Sequence, residues 1–317
     1  MQAWQFIYDN QRTGVPVILM YVLESIGSSP GRRGFHMAVS SNGQFCGTIG
    51  GGIMEHKFVE MAKALLKEGM PYSEVHRQVH DKMAVTDQSG MICSGEQTIF
   101  IYTIREKDSQ AIGRLIQSLT AGNNGSLEIT KSGLSFSADM PQRDFQYEAY
   151  DEDFLLTIKT GYRYHLHIIG GGHCALALSK LMNSLDFHIS IYEEREGLNT
   201  FEQNVYAHQK IAVPGYADLK KYIQGDDHTY IAIMTMGYRT DDEALRSLIS
   251  HQYAYLGVLG SRSKMEKMFE AYRREGIDES MLSNIYSPIG IPIKSQTADE
   301  IAISIAAEII AVKNKDQ

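Results

Sequence analysis

A six-residue glycine-rich turn constrains this chain more than any other part of it. Gly170-Gly171-Gly172-His173-Cys174-Ala175 fits the pattern G-x-G-x-x-A. Residues 165–169 before it read as a buried strand, and residues 175–185 after it as a helix. In that context each small residue has a physical reason. Gly170 makes the tight strand-to-helix turn, Gly172 lets the backbone approach a pyrophosphate, and Ala175 keeps the helix close to its sheet. The phosphates would meet the positive N-terminus of the helix. On the pattern alone, the turn binds a dinucleotide, another nucleotide or nothing.

The rest of the C-terminal half repeats the alternation. Residues 188–192, 230–235 and 255–259 read as strands, and residues 240–250, 263–274 and 298–312 as helices. The last helix opens on Thr297-x-x-Glu300, a capping box that satisfies exposed backbone N–H groups. Strands alternating with helices imply a parallel sheet covered on both faces. The expected fold class is α/β, with a Rossmann-like nucleotide-binding domain over residues 161–317. Glu193 ends the second strand about 20 residues after the turn, where an acidic residue binds a ribose 2′-OH and favours NAD over NADP. Arg195 blurs that preference, because an arginine there accepts a 2′-phosphate. His173 is either a ligand contact or a structural hydrogen-bonding group, and Cys174 reads as a small packing residue.

The N-terminal half reads as a smaller α+β domain over residues 1–105. Strand patterns cover residues 15–25, 35–40, 43–49 and 98–104. Ser41-Asn42-Gly43 is the expected hairpin turn, since Asn-Gly tolerates positive φ. After Gly50-Gly51-Gly52 comes a helix with Phe58, Met61, Ala62 and Leu65 on one face. Residues 106–160 read as a connecting segment, with a helix at 111–119, a loop at 120–126 and a strand hairpin at 145–159.

Charge and cysteine usage narrow the partners. A formal net charge of -8 speaks against a nucleic-acid backbone, which needs clustered cations. The apolar run 17–23 falls far short of the roughly 20 residues that span a bilayer, so no membrane association is expected. The start lacks the basic-then-apolar pattern of a signal peptide. Three cysteines, Cys46, Cys93 and Cys174, with no close Cys/His cluster, imply free thiols in the cytoplasm and no zinc site.

Four further segments join the turn: Gly27-Ser28-Ser29-Pro30 with Arg33-Gly34; Gly50-Gly51-Gly52-Ile53-Met54-Glu55; Tyr255-Leu256-Gly257-Val258-Leu259-Gly260-Ser261-Arg262; and Ser287-Pro288-Ile289-Gly290 leading into the final helix. In this order and spacing the chain resembles the xanthine dehydrogenase accessory protein family, XdhC/CoxI, over nearly its whole length except residues 106–160. The resemblance implies a binding protein, more than a turnover enzyme, that serves a molybdenum hydroxylase such as xanthine dehydrogenase. It implies binding of molybdenum cofactor (molybdopterin), protection of the cofactor during sulfuration, and help with its insertion. A cysteine desulfurase and a second copy of the chain, as a homodimer, are the further implied partners. Gly51, Gly52 and Glu55 match the family's S-G-G-C-x-E segment, but Ile53 stands where the family has cysteine. Cys93, with Gly95 and Glu96, matches the second motif cysteine. A histidine that family members carry near Tyr238 is missing.

A molybdenum cofactor binder needs phosphate donors, a polar pocket and a soft metal ligand. The backbone of Gly170, Gly171 and Gly172, or of the Gly50–Gly52 turn, can take a phosphate, assisted by Arg32, Arg33 or Arg262. Cys93 is the candidate metal ligand, since thiolates favour soft centres. Each has a plainer reading: solvated arginines, Ser261-Arg262 capping a helix, Glu55 on a helix dipole, Cys93 as a packing thiol, and Asp241 as a helix N-cap. The rival functions are an NAD(P)-dependent oxidoreductase, with His173, Tyr238 or Cys93 as proton carrier, and a nucleotide-sensing regulator.

Overall fold

A computed structural model describes residues 2–79 and 95–315. The chain forms two compact units, Met1–Gly161 and Tyr162–Gln317. Cys93 lies outside the described residues, while Gly95 and Glu96 of its motif are the first residues of the strand Gly95–Thr103.

Unit 1 runs α1 (Gln2–Arg12), β1 (Val17–Gly27), β2 (His36–Ser40), β3 (Phe45–Gly47), α2 (Gly52–Glu68), β4 (Ser73–Val79), β5 (Gly95–Thr103), α3 (Ser109–Thr120), β6 (Gly125–Thr130), β7 (Gly133–Ser137), β8 (Phe145–Tyr150) and β9 (Asp153–Thr160). Two antiparallel sheets result, in the orders β3-β2-β1-β5-β4 and β7-β6-β9-β8. β1 explains how they pack. Successive side chains on a strand point to opposite faces. Ile18, Met20 and Val22 therefore join Met54, Phe58 and Ala62 of α2 in one core. Val17, Leu19, Tyr21 and Leu23 join Ile7 of α1, Leu115 of α3, and Leu127 and Leu156 of the second sheet in another. A strand covered on both faces reads as one continuous apolar run, and 17–23 does.

Residues 106–160 supply α3 and the whole second sheet, so they contribute half of that second core. The loop expected at 120–126 is shorter, since Thr120 still belongs to α3 and β6 already begins at Gly125, and β6 pairs with both β7 and β9.

Unit 2 runs β10 (Tyr164–Ile169), α4 (His173–Asn183), β11 (Phe187–Glu193), α5 (Asn199–Glu202), β12 (Gln209–Ala212), β13 (Thr229–Ile233), α6 (Tyr238–Leu248), β14 (Tyr255–Val258), α7 (Arg262–Arg274), α8 (Glu279–Ser283) and α9 (Ala298–Lys313). All five strands pair in parallel, in the order β12-β11-β10-β13-β14. Leu166, Ile168 and Ala232 face α4 and α9. Ile169, Ile231 and Ile233 face α6 and α7. The doubly wound α/β fold expected from the alternation is present. The chain steps outward from β10 to β11 and β12, then returns to β13 on the other side of β10. The direction of winding thus reverses between β10 and β13, where open α/β sheets form a crevice outside the carboxyl ends of their strands.

A row of imidazoles runs from β10 through β11 to His208, the residue before β12, in the same unit. His165 Nε2 and His188 Nδ1 are 2.9 Å apart, and the His165 and His167 rings stack at 3.9 Å. The Tyr192 hydroxyl closes one end on His167 at 3.0 Å, and the Tyr162 hydroxyl closes the other on His208 at 2.6 Å. Burial lowers the pKa of His165 and of His188 to about 4. Among the described residues no helix is long and apolar enough to cross a membrane, and no group of three or more His, Cys, Asp or Glu could hold a metal ion.

Candidate functional site

Two turns stand at the carboxyl ends of β10 and β13, where the winding reverses and a crevice is expected. The first is Gly170–Gly172. Gly170 has φ +102, and a Cβ there would lie 2.5 Å from the Met234 carbonyl oxygen, so only glycine fits. Gly171 has no room either: a Cβ would meet Phe201 at 2.8 Å. Gly172 is different. It is the N-cap of α4 with φ -73 and no side-chain cap, and nothing lies within 4 Å of an added Cβ. Neither conformation nor packing requires glycine at that position. The first amides of α4 have no carbonyl one turn back, which makes this a donor-rich helix end. His173 opens the helix and is exposed.

The second turn joins β13 to α6. Gly237, not Asp241, is the N-cap of α6, which begins at Tyr238. The Asp241 carboxylate instead reaches back to the Thr235 amide at 3.0 Å and the Thr235 hydroxyl at 2.6 Å. Lys264 from α7 neutralises it, and Asp241 is buried. Tyr238, an expected proton carrier, is the first residue of α6 and is exposed, and Met236 in the turn before it is 77% exposed.

Glu193 stands at the end of β11, and its environment was not legible in the sequence. Its side chain is fully buried. Oε2 accepts from the Gly171 amide at 2.6 Å and from Arg195 Nη2 at 2.8 Å. Oε1 accepts from the Arg195 amide at 2.9 Å, from Arg195 Nε at 2.8 Å and from the Tyr216 hydroxyl at 3.3 Å. Burial alone would raise this carboxyl. The hydrogen bonds from Arg195 and the Gly171 amide outweigh it and hold the pKa at about 2. Arg195 also extends Nη1 toward the Met236 sulfur, 3.7 Å away, and so runs from the end of β11 to the β13–α6 turn. The sequence signal for this pair is the spacing Glu-x-Arg at a strand end.

The remaining candidates lie elsewhere. Arg262 follows β14 as the first residue of α7, whose N-cap is Ser261, with its hydroxyl accepting from the Lys264 amide at 3.2 Å. In unit 1, Glu55 closes on its own turn: Oε2 accepts from the Ile49 amide at 2.9 Å, the Gly51 amide at 3.0 Å and the Thr48 hydroxyl at 2.5 Å. Gly51 and Gly52 begin α2 with its first turn tied down in this way. Arg33 places its guanidinium 4.8 Å from the centre of the Phe145 ring, beside a cavity of about 250 Å³ that Glu24, Arg143 and Tyr147 also line. Arg32 donates to the Gly27 carbonyl at 3.5 Å. Ile53, in the position of the family cysteine, is 61% exposed on the first turn of α2. Burial pushes the Cys174 thiol pKa up, which suits packing rather than nucleophilic chemistry. Cys93 lies outside the described residues. A cavity of about 590 Å³, lined by Asp227, His251, Gln252, Tyr253 and Asn284, sits at the amino-terminal ends of β13 and β14, away from the crevice.

Comparison with known proteins gives concordant matches. The XdhC Rossmann domain matches residues 166–309, and the XdhC and CoxI family matches residues 11–77. The uncharacterized protein YqeB of Escherichia coli (strain K12) is 26% identical over 302 residues, 94% of this chain and 44% of that protein. A Bacillus subtilis (strain 168) protein named as a probable xanthine dehydrogenase subunit is 25% identical over 150 residues, 47% of this chain and 43% of that protein. The chain thus spans less than half the length of these curated relatives. A crystal structure described as a xanthine dehydrogenase from Bacillus halodurans has the same fold: TM-score 0.76 at 21% identity, covering 100% of this chain and 97% of that one.

Proposed function

The chain belongs to the XdhC and CoxI family, and from that premise we propose that it is an accessory factor for a molybdenum hydroxylase of the xanthine dehydrogenase kind. In this reading it is a cytoplasmic binding protein that holds molybdenum cofactor stoichiometrically and aids its sulfuration or insertion. Its partners are the client enzyme, a cysteine desulfurase and a second copy of the chain.

One observation carries the ligand part of this reading. Gly172 is a glycine that the fold does not need, at a helix start where open space replaces a side chain. A phosphate that approaches the amides of the first turn of α4 needs that space. The chemistry of the donors fits the phosphate end of the cofactor, whose metal end would supply the oxygen- and sulfur-transfer centre of the client. The chain's own residues bind and orient: the α4 amides hold the phosphate, and the bond from Gly171 to Glu193 fixes the turn. Cys93 is the proposed soft ligand.

Anaerobic equilibrium binding of the purified protein to molybdenum cofactor tests this. Stoichiometric binding is expected, weakened about tenfold or more in Gly172→Val and in Cys93→Ala. Absence of cofactor affinity in the wild-type chain overturns the reading.

A further inference from the structure

We propose that Arg195 is a specificity-determining residue that closes the ribose position of this crevice, so that unit 2 rejects adenine dinucleotides and holds a ligand that ends at its phosphate. The inference rests on reading the crevice as a ligand site, and it concerns which ligands that site excludes.

In a site of this topology the acidic residue ending the second strand accepts hydrogen bonds from the ribose hydroxyls. A carboxylate offers about four lone-pair sites. In Glu193 five donors already claim them: the Gly171 amide, the Arg195 amide, Nε and Nη2, and the Tyr216 hydroxyl. No acceptor capacity is left for a ribose diol. The side chain has no exposed surface, and its neighbourhood is closed from the other side as well. Thr200 donates to the Gly171 carbonyl at 2.6 Å, and Phe201 packs against Gly171.

The arrangement is equally unsuited to a 2′-phosphate. Two of the three guanidinium nitrogens of Arg195 are held by Glu193, and the third faces the Met236 sulfur. A 2′-phosphate would have to compete with a carboxylate that is already in place and already charged. Each partner of the pair thus blocks the nucleotide that the other would recognise alone. Free Glu193 would suit NAD, and free Arg195 would suit NADP. A ligand whose phosphate is terminal needs neither, because it meets the start of α4 without reaching the end of β11.

The test exploits that reciprocity. NAD and NADP are titrated against the full-length protein by calorimetry, with melting curves confirming that each variant folds. The wild-type chain is expected to bind both nucleotides weaker than about 1 mM. Arg195→Ala should raise NAD affinity at least about tenfold while leaving NADP unchanged. Glu193→Gln should raise NADP affinity by a similar factor and leave NAD unchanged. Such factors correspond to one or two charge-assisted hydrogen bonds. Should Arg195→Ala fail to fold, Arg195→Lys replaces it: a point charge cannot occupy both carboxylate oxygens as the fork does, so a smaller gain for NAD is expected. Micromolar binding of either nucleotide by the wild-type chain overturns the proposal. So do variants that leave the preference between the two nucleotides unmoved, since a purely structural role would change both alike. If the crosswise gains appear but molybdenum cofactor does not bind, the accessory-factor reading fails and this one stands. If the cofactor binds and the gains are absent, the reverse holds.

Discussion

In unit 1 the Glu55 carboxylate accepts from the amide of Gly51 at 3.0 Å; in unit 2 the Glu193 carboxylate accepts from the amide of Gly171 at 2.6 Å. Both bonds seize the middle glycine of a G-G-G turn at the start of a helix, yet they are different devices. Glu55 belongs to the helix its own turn opens, and its further partners, Thr48 and Ile49, are also close in sequence. It is a local closure that works wherever that segment goes. Glu193 comes from the neighbouring strand, 22 residues on, and brings Arg195 with it. It is a joint between two βα units, so it exists only once the sheet has formed. The same three letters therefore stand for a self-contained cap in one unit and for a charged tertiary junction beside a crevice in the other.

The largest effect that would sharpen this contrast is expected at Gly170. Gly170→Ala forces a side chain into positive φ and against the Met234 carbonyl, a combination that costs on the order of 3 kcal/mol. Chemical denaturation should show that loss in unit 2. A loss below about 1 kcal/mol would mean the turn relaxes freely and is no joint at all.

Glu193→Gln comes next. Breaking a buried ion pair costs about 3–5 kcal/mol, and the one-third exposure of the Arg195 side chain reduces the expectation to about 2 kcal/mol. The pH dependence gives a more specific signature. The folded-state pKa of Glu193 lies near 2, below the ordinary glutamate value of about 4.3. Its contribution is therefore fully present above the unfolded value and is lost as pH falls toward 2. The imidazole row acts higher up. His165 and His188 are lowered to about 4 from 6.5, so their contribution is present above about 6.5 and fades as pH falls toward 4. Stability curves of wild type and Glu193→Gln should thus run parallel from pH 7 to about 5 and converge below. Parallel curves down to pH 2.5 would show that Glu193 carries no linked proton.

The smallest effect is expected for Glu55→Gln, about 1 kcal/mol, because an amide oxygen can still accept from the Gly51 and Ile49 amides. A loss matching that of Glu193→Gln would erase the distinction between local cap and tertiary joint.

How much of this was legible in the sequence follows the same division. The parallel sheet was legible because strands such as β10 and β13 are short apolar runs that alternate with helical patterns, the last of which, α9, opens on a capping box. The small edge strand β12, Gln209–Ala212, was not, since its mostly exposed Gln, Lys and Ala give no apolar pattern. α1 escaped because its burial rests on few residues, Ala3, Trp4 and Ile7. At the site, the approach of Gly170, Gly171, Gly172 and Glu193 followed from motif spacing. That Glu193 would be saturated did not, because Tyr216 reaches it from a loop with no sequence signature. Asp241 looked like a cap since a polar residue precedes a helix; only the tertiary position of Thr235 and Lys264 reveals its role as a loop brace.

β1 has one further consequence, for dissection of the molecule. Its even residues belong to the core under α2 and its odd residues to the core that α3 and the second sheet complete. Neither core can open without uncovering a row of β1, so the two must melt together as one cooperative block. A fragment cut after residue 105 would keep the motif-bearing segments of unit 1 yet leave Val17, Leu19, Tyr21 and Leu23 without α3 and the second sheet, an apolar strand face of the kind that drives aggregation.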